Sequence, residues 1–332
     1  KLALQAEYLL CKQGVRVSIP SAPQPKPLFR EEFLSETSPS LKISDKDMYR
    51  TGLIACAFGY MLTAISPVIV ADSNVHGLAM AFWRCWIAFA PFAVLVLMRK
   101  DLSFERFLSS APAGICFGTS MGLFFWAAKM TSILNATLIT ILLPIPLTIA
   151  SFFIFRERIT LRHIIVSIIA VCGAMLIVAS GSSSGTGDLK GDLLAVVAVL
   201  ISSGYFVFSK KALLTVPLIE FQAGVFAWGG LVLIPMVIAS QANLIAQSNA
   251  DLGRIFMVAL IPMGGHLLLN YSHGKAPLNL IAVFQLIVPV ISTILAYWIL
   301  SQSVSSFQGI GMAIVIITLG INSYFKPNDA DD

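Results

Sequence analysis

Arg84 is the residue whose setting most demands chemistry. It sits in AFWRCW, within an apolar run long enough to cross a membrane. A guanidinium in hydrocarbon is costly unless it faces a protein interior or a wet cavity. In such a place it can grip a carboxylate or phosphate through paired hydrogen bonds. Two plainer fates are open to it: snorkelling to the interface, or pairing with an acid such as Asp72. His266 and Asn270 lie four apart, so on a helix they share a face. His266 is a candidate proton relay, or else a packed, hydrogen-bonded histidine. Trp83, Trp126 and Tyr271 offer aromatic walls of a kind that suits amino acids or apolar metabolites, or they pack at interfaces, an ambiguity Trp86 and Trp228 share. Gln285 adds a hydrogen-bonding group, and Lys129 reads as an interfacial anchor.

Other chemistry finds little support. GTSMG, residues 118–122, fits the G-x-S-x-G pattern of serine hydrolases. That motif needs a strand-to-helix elbow, whereas this copy lies in an apolar helix. Gly114, Gly118 and Gly122 recur every fourth residue, the pattern of close helix packing. An intramembrane hydrolase using Ser120 and His266 is the enzyme alternative, and it predicts labelling of Ser120 by a fluorophosphonate probe. No Walker A, HExxH or Rossmann motif in context is present, so neither a cofactor nor a metal is expected. The five cysteines form no CxxC and read as single thiols, four of them within apolar segments.

The elements that must position these residues are helices. Of 332 residues, 57% are hydrophobic and 12% charged, against about 25% charged in a soluble domain. Ten apolar segments are expected to span a bilayer, at roughly 51–71, 78–98, 109–129, 134–155, 162–180, 191–209, 218–240, 253–272, 278–299 and 307–325. Residues 1–48, with the proline-rich SAPQPKP, read as a soluble, mobile tail in which no signal-peptide pattern is assembled. The linker SGSSSGTGDLKGD falls at the midpoint of the apolar part.

The net charge of +5 does not imply nucleic acid, because eight of the 22 Lys and Arg precede residue 51 and most others flank apolar runs. Arg99, Lys100 and Arg106, then Arg156, Arg158 and Arg162, then Lys210 and Lys211, then Lys275 fall in alternate connections. The other connections hold only Lys129, Lys190 and Arg254. The positive-inside rule therefore predicts that both termini are cytoplasmic. No Asp or Glu lies near the middle of a span, since Asp72, Asp192, Glu220 and Asp251 all lie at ends. That absence favours facilitated diffusion or exchange over strong proton coupling, with His266 as the substitute should coupling exist.

The fourth and ninth segments align with an offset of 145 residues, which lays Pro144 on Pro289 and FRERIT on LSQSVS. An offset of five helices reverses orientation, so arginines anchor the inside copy and serines end the outside one. The same offset pairs His266 with Met121 and Tyr271 with Trp126. Proline within a helix removes a backbone hydrogen bond, and the matched Pro144 and Pro289 are candidate hinges. Inverted repeats are a building plan of secondary transporters.

From about 51 to 325 the chain resembles the EamA family of the drug/metabolite transporter superfamily. The resemblance is carried by Arg84 in AFWRCW and by ITILLPIPLTIASFFIFRERIT leading into a helix with Gly173. It is carried further by GDLLAVVAVLISSGYFVFSKK and by GGHLLLNYSHGKAPLNLIAVFQLIVPVISTILAYWILSQSVSSFQGIG. Gln302 departs from the family, which usually has an acid there to match Glu157. The resemblance implies transport of amino acids, other metabolites, or nucleotide-related and sugar-linked compounds.

The sequence therefore predicts an all-α membrane protein with ten transmembrane helices in two inverted five-helix repeats, 49–180 and 191–326. A 181–190 linker joins them, and 327–332 forms a short tail. The expected function is alternating-access carriage of amino acids or related carboxylates, as an exporter, facilitator or exchanger. Arg84, Trp83, Trp126, His266, Asn270, Tyr271 and Gln285 would form the site. The expected setting is the bacterial inner membrane, as a monomer or weak homodimer whose partners are a small molecule and the lipid bilayer. A carrier of nucleotide-like or drug-like compounds is the nearest rival, and a non-transporting membrane scaffold or sensor the third.

Overall fold

The computed structural model describes residues 45–99, 103–130, 139–157, 159–180, 188–300 and 304–324. Most of the expected tail 1–48, most of the linker, the C-terminal tail and Gln302 lie outside the described residues.

The described residues form thirteen helices: α1 (Asp45–Thr63), α2 (Ile65–Asp72), α3 (Gly77–Arg99), α4 (Phe104–Ser109), α5 (Ala111–Met130), α6 (Pro144–Phe155), α7 (Leu161–Ala179), α8 (Leu189–Ala212), α9 (Leu218–Ser240), α10 (Asn249–His273), α11 (Leu278–Phe284), α12 (Ile287–Leu300) and α13 (Ser306–Tyr324). Among these residues no strand occurs, as expected where lipid cannot satisfy a lone strand's backbone.

Among the described residues, seven helical stretches are long and apolar enough to cross a membrane, the first taking in most of α1 and α2 from Asp47 to Val70. Pro144–Phe155, Ile164–Ala179 and Ser306–Ile321 are shorter apolar helices. The difference from ten expected spans is clearest at α6. Its 12 residues cover about 18 Å, less than the roughly 30 Å of hydrocarbon. Proline at its first position has no N–H to continue a preceding helix.

Pro144 is therefore not inside a long helix as the sequence suggests. It starts the short helix α6, after a turn in which Leu143 N–H donates to Thr140 O and Ile145 N–H to Leu142 O. Pro289 lies just inside α12, after a similar break where Gln285 N–H donates to Ala282 O and Val288 N–H to Gln285 O. A third break, at Ala64, has a related cause: Pro67 cannot donate to the carbonyl four residues earlier. That carbonyl belongs to Thr63, and the neighbouring Ala64 carbonyl accepts from the Ser292 hydroxyl at 2.9 Å.

Glycines set the closest crossings. A Cβ on Gly118 would stand 2.4 Å from Gly229 O, where α5 meets α9. A Cβ on Gly265 would stand 2.7 Å from Gly59 O between α10 and α1, and one on Gly311 2.7 Å from Gly173 O between α13 and α7. The 114/118/122 stripe thus faces α9, with Gly114 against Trp228 and Gly122 against Leu233. Besides these pairs, α8 packs on α5, α9 on α3, α10 on α3, α8 on α6, α12 on α1 and α11 on α6. Small residues let helix backbones approach where lipid gives no hydrophobic drive to associate.

Replacing Gly118 by Ala must force two backbones apart and should cost roughly 1–3 kcal/mol. Gly309, with nothing within 4 Å of a Cβ, is the matched control. Thermal denaturation in detergent should show a lower midpoint for Gly118→Ala and none of that loss for Gly309→Ala.

Candidate functional site

The polar centre of the bundle is built around Arg84, two turns into α3. Its side chain is buried at 4% exposure, which removes the snorkelling alternative. Nη1 donates to Ser66 Oγ at 3.0 Å, and Nη2 lies 3.0 Å from His266 Nε2. The guanidinium carbon stands 5.6 Å from the centre of the Phe125 ring. Among the described residues no carboxylate forms an ion pair with it. Asp72, the acid considered from sequence, is held by Arg254 at 2.5 Å. Ser66 reaches Arg84 because the break at Ala64 starts a new helix one residue before it.

His266, as the acceptor of a guanidinium N–H, carries its ring proton on Nδ1, which has no partner among the described residues. Its ring is packed edge-on by Phe117 at 4.8 Å, and Tyr205 lies 6.4 Å away. Tyr205 Oη donates to Asn270 Oδ1 at 3.0 Å, and Asn270 Nδ2 donates to Gln222 Oε1 at 2.7 Å. Gln222 Nε2 and Tyr60 Oη are buried without a hydrogen-bond partner among the described residues. Each such group costs about 1–3 kcal/mol if nothing answers it. The Tyr205–Asn270–Gln222 chain meets the Arg84–His266 pair through the Tyr205 and His266 rings.

The structure brings together Arg84, His266 and Asn270 and disperses the other predicted site residues. Trp83 donates its indole N–H to Leu244 O at 2.7 Å, at the end of the bundle where α9 finishes and α10 begins. Trp126 lies near that same end, 6.4 Å from the His76 ring. Tyr271 is 37% exposed near the finish of α10, with Lys275 Nζ 4.6 Å from its ring centre. Trp126 and Tyr271 thus lie at opposite ends and share no cavity wall, because each sits close to the last turn of helices that run in opposite directions. Gln285 lies at the α11–α12 break, where its carbonyl accepts from Val288. Ser120 donates to its own helix at Phe117 O, 3.1 Å, and His266 is committed to Arg84, so no hydrolase dyad is assembled.

Ser66, Tyr60, Tyr205 and Gln222 were not singled out in the sequence. A signal for two of them was present. Tyr60 and Tyr205 are separated by the 145-residue repeat offset, and both are 3% exposed.

The sequence model of the EamA-like transporter family matches the chain twice, over residues 50–179 and 189–324. The chain belongs to the EamA-like transporter family. An uncharacterized transporter of Archaeoglobus fulgidus is 25% identical over 272 residues, covering 81% of this chain and 93% of the relative. The uncharacterized transporter YetK of Bacillus subtilis is 27% identical over 281 residues, covering 77% and 84%. A solved crystal structure shares the fold with a TM-score of 0.69 at 17% identity, covering 85% of this chain and 98% of that one. Family membership and the apolar helices make this chain a multi-span membrane transporter.

The Tyr205–Asn270–Gln222 chain is expected to be cooperative. Asn270→Ala should destabilise by roughly 1–3 kcal/mol, since it strips partners from two buried groups. A double-mutant cycle with Tyr205→Phe, read by denaturant unfolding in micelles, should give a nonzero coupling of about 0.5–1.5 kcal/mol.

Proposed function

We propose that this chain is a secondary carrier that moves small metabolites bearing a carboxylate, amino acids above all, by alternating access. The observation that carries this reading is a buried arginine with neutral partners only. Ser66 and His266 satisfy part of the guanidinium and leave its charge unanswered. A solute carboxylate supplies both the missing charge and two acceptor atoms. An amino or hydroxyl group on the same solute finds acceptors and donors in the Tyr205–Asn270–Gln222 chain and in Tyr60.

The movement we assign is a rocking of two inverted five-helix repeats about this centre. The double family match and the packing pattern support it. Exchanging the halves sends α5–α8 onto α10–α1, α5–α9 onto α10–α3, and α6–α8 onto α12–α1. It returns α3–α9 and α7–α13 to themselves. The breaks before Pro144 and beside Pro289 are the pivots in this reading. In this reading the chain sits in the bacterial inner membrane with both termini cytoplasmic, an orientation that the basic connections support. Net export, facilitation or exchange follows from the gradients.

The test is counterflow in liposomes preloaded with unlabelled amino acids, with a labelled amino-acid mixture outside and no pH gradient. Wild type should show saturable uptake, and Arg84→Ala should lose it by at least about a hundredfold. Pro289→Ala should lower the maximal rate with little change in half-saturation. Folded wild type that takes up no labelled amino acid overturns the amino-acid assignment, and uptake undiminished in Arg84→Ala overturns the anion site.

A further inference from the structure

A cavity lies away from Arg84, at the end of the bundle where α2, α5 and α9 finish. It holds about 450 Å³ between the 73–76 connection and the 241–247 connection. Its lining includes Lys129, His76, Asn74, Gln241, Asn243 and Gln247, and no carboxylate. We propose that this cavity is a separate binding site for a solute monocarboxylate, with Lys129 as its charged ligand, from which solute passes to Arg84. The staging role rests on the carrier reading above, and the binding site does not.

Lys129 donates to Ser73 O at 2.5 Å and forms no ion pair among the described residues. The two nearby acids are spoken for. Asp72 binds Arg254 at 2.5 Å, and Asp251 binds Arg254 at 3.2 Å while accepting the Ser248 hydroxyl at 2.9 Å. They attract Lys129 at longer range without satisfying its donors.

His76 supplies a neutral donor. Its Nδ1 accepts from Leu78 N–H at 3.2 Å, which leaves the ring proton on Nε2. Burial, and then the Lys129 charge, lower its pKa from the ordinary histidine value, so the ring is not a second cation near neutral pH. Asn243 spends its Oδ1 on Ile245 N–H at 2.9 Å and keeps its amide protons. Gln241 ends α9 with φ 52°, which closes the helix and turns the chain into the cavity's second wall. One full positive charge among neutral amide and imidazole donors matches a single carboxylate better than a dianion.

The cavity is distinct from the central cluster. His76 lies eight positions before Arg84, just ahead of α3, about 12 Å at 1.5 Å per residue. Two indoles report on it. Trp126 lies 6.4 Å from the His76 ring, and Trp83 holds Leu244 O, in the connection that closes the cavity.

The experiment is equilibrium titration of the full chain in nanodiscs, read by tryptophan fluorescence. Sodium butyrate is the probe, with butyramide as its uncharged counterpart and inorganic phosphate as the dianion. Butyrate should give a saturable change in wild type that survives Arg84→Gln. It should weaken by at least about tenfold in Lys129→Gln and be restored by Lys129→Arg. Butyramide should give no saturable change, and Trp126→Phe should remove most of the signal.

Equal affinity in wild type and Lys129→Gln overturns the site, as does the absence of any saturable butyrate response. A response lost in Arg84→Gln and kept in Lys129→Gln also overturns it, by leaving the central site alone. Saturation by phosphate but not butyrate overturns the assigned ligand class. Lys129-dependent binding in a chain that shows no counterflow keeps the site and removes its staging role, so the two readings fail separately.

Discussion

A guanidinium buried in an apolar bundle must be answered by polar groups, and that requirement organises the centre of this protein. Lipid offers no water to rescue an unpaired charge. Arg84 therefore sits where three elements can each bring it something: α2 a hydroxyl, α10 an imidazole, and α5 the face of Phe125. None of these is an anion. The neutral partners hold the side chain in place and leave its charge available. A structural Arg–Asp pair would have fixed the side chain equally well and ended its capacity to bind anything else.

The surrounding architecture makes that convergence possible. Close glycine crossings at Gly118–Gly229 and Gly59–Gly265 bring α5, α9, α10 and α1 near enough for one layer of side chains to span the centre. Ion pairs gather at the two ends. Arg254 bridges Asp72 and Asp251 at one end. At the other, Arg106 meets Glu220 at 2.9 Å, and Glu157 takes Lys210 at 2.5 Å together with the N–H groups of Leu278 and Asn279. Glu157 therefore ties the end of α6 to α8 and to the start of α11.

Much of this was legible before any coordinates. Arg84, His266 and Asn270 stand out because polar residues in apolar spans need a reason, and the structure gathers all three. The glycine stripe read as packing, and it packs. What failed to read did so for physical reasons. Ser66 becomes a partner of Arg84 only through the break at Ala64, which depends on Pro67 and on Ser292 from more than two hundred residues away. Gln222 lies one turn from the start of α9 beside Glu220, so it resembles an interfacial residue although it is fully buried. The 145-residue offset pairs Trp126 with Tyr271, but the structure puts Trp126 near the end of α5 and Tyr271 near the end of α10, at opposite ends. The same offset pairs Tyr60 with Tyr205, and both are buried.

The central claim is that Arg84 reads a carboxylate on the moving solute. The most direct measurement is competition of counterflow by matched pairs of acids and their carboxamides, each pair alike in size and side chain, in wild-type liposomes. The account predicts that the acids compete and the amides do not, because only the acid supplies the charge and paired acceptors that the buried guanidinium lacks. Equal competition by acid and amide would contradict it, and would return Arg84 to a structural role in a carrier that recognises its cargo elsewhere.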